Sequence, residues 1–263
     1  MLLFALLDRW RSPPPKPAKV SWLRGAAFAH RGLHSAGVPE NSPSAFAAAA
    51  ARGLGIECDV QRSRDGLAVV FHDAALDRLT GEIGPVAART AAELGQIVLA
   101  GSSDTIPTLR QLLDQLGGAV PALIEIKTDR DRDRDHRTSV LCLAVRRELE
   151  GCAGHYAVMS FDPRIVRWFA DHSPLTVRGL VVTEENDHSL PGMLKRRLSL
   201  WHARPDFLAY DIRDLPSRFA AAQRARGLPL LSWTVRSQEL ALRAARYADA
   251  PIAEGGGVDA APA

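Results

Sequence analysis

A chain of 263 residues, 46% hydrophobic and 24% charged, has enough apolar content for one substantial core and the length of one large α/β domain. The net charge of +3 comes mainly from arginines scattered along the chain without interleaved aromatics, so no nucleic-acid partner is indicated. Three cysteines, Cys58, Cys142 and Cys152, are odd in number and lack paired spacing, which argues against a disulfide framework or zinc site and for a reducing, cytoplasmic compartment.

The apolar opening at residues 1–7 has no cationic start and is cut short by Asp8-Arg9, too soon for a membrane span. Residues 27–29 mimic a signal-peptidase site but follow a long proline-rich stretch, so secretion is not expected. The opening instead predicts a short amphipathic helix docked on the outside of the domain, with peripheral membrane contact as the other reading. Four prolines within 12–19 predict an irregular linker. Residues 1–24 are thus read as segment plus linker, 25–255 as the domain and 256–263 as a flexible tail.

The domain starts with a small-residue strand at 26–29 ending in His30-Arg31-Gly32. Ser42 and Pro43 have the cap and first-turn chemistry of a helix over 43–51, which Gly53 stops. The run Ile56-Glu57-Cys58-Asp59-Val60 reads as a second strand, with Glu57 and Asp59 on one side because side chains alternate along a strand. After the turn Arg64-Asp65-Gly66, a strand at 67–71 delivers His72 and Asp73. Regular alternation lapses over about 61–107 and then resumes.

Helices are predicted at 108–116, 139–149, 163–170, within 194–202, and at 217–226 and 238–247. Strands are predicted at 122–127, 156–160, 177–182, 207–211, 230–235 and 250–253. Setting the excursion aside leaves eight strands, each but the last followed by a helix, the arithmetic of a (β/α)8 TIM barrel; an open doubly wound sheet is the rival. In a barrel, His30, Arg31, Glu57, Asp59, Glu125, Lys127, Ser160 and Trp233 all fall at or near strand ends, at the mouth where chemistry resides.

Glu125 and Lys127 repeat the two-residue spacing of Glu57 and Asp59, so three carboxylates and a lysine are able to converge. All-oxygen donors select one hard divalent cation, Mg2+ or Ca2+. Arg31 and Lys127 beside it suit a phosphate, and His30 and His72 are candidates for proton transfer. Taken singly, each of these residues has an ordinary reading as a cap, a surface ion pair or a packed side chain. Their joint placement favours function. His34, His136, His155, His172, His188 and His202 lack such company. The alternating charges of 129–135 read as a solvated loop.

The motifs Ala29-His30-Arg31-Gly32, Pro39-Glu40-Asn41-Ser42, Ile56-Glu57-Cys58-Asp59-Val60-Gln61, Asp65-Gly66, Phe71-His72-Asp73, Leu76 with Arg78 and Thr80, Ile106-Pro107-Thr108-Leu109, Ile124-Glu125-Ile126-Lys127 and Trp233-Thr234-Val235 resemble the glycerophosphodiester phosphodiesterase family. The resemblance implies a TIM barrel with a small insertion between the second strand and its helix. It also implies hydrolysis of small-molecule glycerophosphodiesters to glycerol 3-phosphate and an alcohol. By position, Glu57, Asp59 and Glu125 would bind the metal, His30 and His72 act as acid and base, and Arg31 and Lys127 hold phosphate. Glu40, Phe161 and Trp233 are candidates for the pocket, and Asn41 matches without an assigned task. Residues 250–254 depart from the family's more apolar closing strand, and no final helix is expected after them. A related phospholipase acting on intact lipids and a non-catalytic phosphate-binding barrel are the alternatives. Oligomeric state is left open.

Overall fold

The computed structural model describes residues 2–128, 134–185, 187 and 189–260. Two units carry the chain, residues 28–156, and residues 1–27 with 157–263.

In residues 28–156, β1 (Phe28–Ala29) runs parallel to β2 (Gly55–Arg62), which runs parallel to β4 (Ala122–Ile126). β3 (Ala68–Val70) folds back antiparallel on the end of β2, pairing Val60 with Val70. The first helix, Pro43–Ala51, is started by Ser42, whose hydroxyl accepts from the Ala45 N–H at 3.1 Å. Thr108 and Gln111 form a reciprocal capping box on the helix Leu109–Leu116. The expected insertion is folded. Val69, Phe71, Leu76, Val86, Leu94, Leu99 and Ile106 are buried together as a small core of its own.

In the other unit, β5 (Tyr156–Ser160), β6 (Val177–Val182), β7 (Phe207–Asp211), β8 (Leu230–Val235) and β9 (Ala250–Ala253) pair in order and in parallel. The intervening helices begin on Asp162, Ser189, Ser217 and Ser237, each of whose side chains accepts from a first-turn N–H. With β3 set aside, eight parallel strands alternate with helices, and the fold class is a (β/α)8 barrel.

Several sequence expectations need correction. Residues 17–23 are not an irregular linker, since Pro17–Val20 and Ser21–Leu23 are helical turns that bury Val20 and Leu23; a proline at the start of a turn costs no hydrogen bond. The helix expected within 194–202 spans Leu190–Ala203. The closing strand forms despite its composition, because all four residues of β9 are buried. A helical turn, Gly256–Asp259, follows it where a flexible tail and no helix were expected. Most of the charge run 129–135 lies outside the described residues.

The opening helix Leu2–Arg11 docks through Asp8, which is buried. Its carboxylate accepts from Arg197 Nη1 and Trp201 Nε1, both at 2.7 Å, and from Gln223 Nε2 at 2.9 Å. Farther along, Lys19 Nζ pairs with Asp206 at 2.7 Å. Replacing Asp8, which is itself buried, by alanine leaves the partly buried Arg197 guanidinium and Trp201 indole N–H and the buried Gln223 amide without their acceptor. A loss of about 3–5 kcal/mol in unfolding free energy is expected, as for a broken buried ion pair. Denaturant titration measures it, and turnover per folded molecule should be unchanged. Among the described residues no helix is long and apolar enough to cross a membrane.

Candidate functional site

The site is built within residues 28–156, and the register of two strands sets it. In the parallel pairing of β2 with β4, Asp59 stands beside Glu125, while Glu57, two residues before Asp59, points to the same side. Ile56, Cys58 and Val60 point to the other side and are fully buried. Carboxylate oxygens of Glu57, Asp59 and Glu125 lie within 4.8 Å of one another, all three residues being buried. Lys127, two residues after Glu125, reaches back so that Nζ lies 2.5 Å from Glu125 Oε1 and 2.7 Å from Asp59 Oδ1.

The loop after β1 brings the second cation. Arg31 takes a left-handed backbone (φ 56°), unusual for a residue with a side chain, and Gly32 continues the turn at φ 79°. A Cβ on Gly32 would stand 2.8 Å from the Ala45 Cβ, so only glycine lets this turn lie on the first helix. The turn aims the Arg31 N–H at Glu57 Oε2, 3.0 Å away, and brings its Nε to 3.3 Å from Asp59 Oδ2. His30 Nε2 is 4.0 Å from Glu57 Oε2.

Asn41 now has a task. Its Nδ2 donates to Asp59 Oδ2 at 2.9 Å and its Oδ1 accepts from the Asp59 N–H at 3.2 Å, a two-point grip that fixes the carboxylate. Its own left-handed backbone (φ 56°) lets its N–H donate to the Arg31 carbonyl at 2.9 Å. Glu40 bridges Arg31 (2.8 Å) and Arg78 (2.7 Å), so it orders the cations rather than standing open as pocket wall. Arg78 Nε also donates to Asp73 Oδ2 at 2.6 Å, and Asp73 Oδ1 lies 2.6 Å from His72 Nδ1. In sequence, Asp73 and Arg78 match the family's motifs, with no role assigned to either. The adjacent His-Asp pair was the available signal, whereas nothing in sequence ties Arg78 to Glu40.

Burial and charge split the three acids. Burial raises Asp59, but Lys127, Arg31 and His72 outweigh it and hold the carboxyl at about 2. Burial and the neighbouring carboxylates push Glu57 well above its ordinary 4.5, and burial also raises Glu125, the more weakly opposed by Lys127. Three buried carboxylates thus face two cations, and the two glutamates resist ionising. An all-oxygen cluster short of positive charge fits a hard divalent cation. Lys127 is raised, since Glu125 and Asp59 outweigh its burial. His72 is lowered from 6.5 by burial and by Lys127 and Arg31, against the pull of Asp59 and Asp73.

Ser160, Phe161 and Trp233 belong to the other unit. There Ser160 is buried, and the rings of Phe161 and Trp233 meet edge to face at 5.3 Å.

The profile of the "Glycerophosphoryl diester phosphodiesterase family" matches residues 30–261. A glycerophosphodiester phosphodiesterase of Caldanaerobacter subterraneus is 37% identical over 231 residues, covering 82% of this chain and 88% of that protein. YhdW of Bacillus subtilis is 30% identical over the same length and with the same coverage. Among solved structures, a phosphodiesterase from Oleispira antarctica superposes with a TM-score of 0.78 at 23% identity, covering 92% of this chain and 97% of that one. A glycerophosphodiester phosphodiesterase from Thermotoga maritima does so at 0.69 and 26% identity, covering 89% and 96%. With its matched motifs on one buried acidic cluster of a (β/α)8 barrel, the chain belongs to the glycerophosphoryl diester phosphodiesterase family.

Proposed function

We propose that this protein is a metal-dependent phosphoric diester hydrolase that cleaves glycerophosphodiesters to glycerol 3-phosphate and an alcohol. The observation carrying the reading is the convergence of Glu57, Asp59 and Glu125 within 4.8 Å beside Lys127 and Arg31. The Oleispira phosphodiesterase of the same fold was solved with the product sn-glycerol-3-phosphate, which supports the substrate class. The odd number and unpaired spacing of Cys58, Cys142 and Cys152 in the sequence support work in a reducing, cytoplasmic compartment.

Glu57, Asp59 and Glu125 would hold one Mg2+ or Ca2+. That cation, when bound, supplies charge stabilisation for a phosphoryl oxygen. Arg31 and Lys127 bind the phosphate, and Glu40 and Asn41 keep their partners in place. His72 donates Nδ1–H to the ionised Asp73 carboxylate, which partial burial raises but the hydrogen bonds from Arg78 and His72 hold below its ordinary value. That bond fixes the tautomer and leaves Nε2 to exchange the proton. His30 serves as the second proton-transfer group. One of the two takes a proton from the nucleophile, and the other protonates the departing alkoxide, which is a poor leaving group without it. We favour the glycerol moiety's neighbouring hydroxyl as nucleophile, giving a cyclic phosphate that water then opens.

Turnover of glycerophosphocholine, followed by release of glycerol 3-phosphate, tests the reading. Activity should vanish in chelator and return with Mg2+ or Ca2+. Full activity in chelator would refute the metal role, and binding without turnover under all metals would favour the non-catalytic barrel.

A further inference from the structure

Two helices packed on each other carry an unusual outer face. The opening helix Leu2–Arg11 lies against Leu190–Ala203, tied by the buried Asp8 pairs to Arg197 and Trp201 and by Phe4 under the Arg197 guanidinium at 4.3 Å. Asp8 points inward. Leu6 and Trp10, four residues apart and so on one face, are on the opposite side, 62% and 70% exposed. On the second helix, Leu190, Leu194 and Leu198 follow the same four-residue spacing and are exposed as a ridge.

The exposed charges carried by the two helices themselves are of one sign. Arg9 and Arg11 flank Leu6 and Trp10, and Lys195 stands exposed beside the leucine ridge. Asp8, buried and consumed by its partners, is the only acid on either helix. Glu185 and Asp187 precede the second helix, and the Asp187 carboxylate accepts from Ser189 there. A second copy docking here through the same surface would set the arginines of the opening helix against each other, with Glu185 and Asp187 at the far end of the ridge as the nearest acids to answer them. A tryptophan and leucines between cations is instead the chemistry of a helix lying in a bilayer interface.

We propose that this two-helix face docks the protein on an anionic lipid surface, with Leu6, Trp10 and the 190–194–198 ridge entering the headgroup boundary and Arg9, Arg11 and Lys195 meeting lipid phosphates. Neither helix is able to span the bilayer, so the contact is peripheral and reversible. The opening helix thus has two working faces: Asp8 anchors one to the barrel and the other meets lipid.

The test uses the full chain and sedimentation with vesicles of phosphatidylcholine alone or mixed with phosphatidylglycerol in about equal parts. Binding to the mixed vesicles, weakened by salt, is expected, with little binding to phosphatidylcholine alone. Leu6→Glu and Leu198→Glu, and separately Arg9→Glu with Arg11→Glu, should each lower the partition coefficient about tenfold or more. The thermal unfolding midpoint of each variant shows that its fold is kept. Trp10 emission should shift to the blue on binding, a shift that Trp10→Phe removes. Absence of binding to the mixed vesicles at low salt overturns the proposal, as does unchanged binding by well-folded variants. Self-association without lipid that Leu198→Glu abolishes would assign the face to a second copy and overturn it equally.

Discussion

Replacing Glu57 by glutamine is expected to remove turnover by about a thousandfold or more, the scale of several kcal/mol of lost charge stabilisation. In chelator, the same substitution should raise stability at neutral pH. Glutamine keeps an acceptor for the Arg31 N–H, which now reaches Glu57 Oε2 at 3.0 Å, and it removes one of three crowded negative charges. Folded Glu57 and Glu125 are both raised above 4.5, so the stability they contribute is complete below pH 4.5 and is lost as pH rises through their folded values. Asp59 acts oppositely, because its folded carboxyl is held at about 2 against an ordinary 3.8. Its contribution is present above pH 3.8 and lost as pH falls toward 2. The chelated wild type should therefore lose stability between pH 4.5 and neutrality, and a divalent cation should restore it by binding the ionised glutamates. Denaturant unfolding with and without the cation measures both arms. Chelated wild type that gains stability across that window, or a Glu57→Gln variant that keeps full turnover, would contradict the assigned role.

Alanine at His30 or His72 should each cost about 100- to 10,000-fold in turnover of a glycerophosphodiester with an ordinary alcohol. The two should separate on a substrate whose leaving group is an activated phenolate. Such a group departs without a proton, so loss of the acid histidine is rescued and loss of the base histidine is not. Equal losses for both variants on both substrates would rule out a division of labour. Burial together with Lys127 and Arg31 keeps His72 below 6.5, so an acidic limb set by His72 as base falls below pH 6.5 and disappears in His72→Ala. Asp73→Asn gives a graded version, since the amide no longer demands Nδ1–H and the tautomer is freed. A diester lacking the glycerol hydroxyl that still turns over normally would remove the cyclic route and leave direct attack by water.

The sequence alone determined which side chains share a face. Alternation along a strand places Glu57 with Asp59 and Glu125 with Lys127 whatever the surroundings. Serine, threonine and aspartate before apolar helical runs mark the helix starts because the capping bond is local, as at Ser42, Thr108 and Ser217. The residue types of the acidic cluster likewise led from sequence to the expectation of a hard cation. The tertiary structure decided what local rules do not reach. The β2–β4 register, over sixty residues apart in sequence, sets Asp59 beside Glu125. Asn41 gripping Asp59 and Glu40 joining Arg31 to Arg78 depend on two left-handed turns and a folded insertion that no short-range pattern announces. The splitting of the three acids likewise follows from burial and net local charge, which are properties of the assembled site. At the opening helix, sequence periodicity gave an amphipathic segment, but only docking through Asp8 determined which face turns inward and left Leu6 and Trp10 outside.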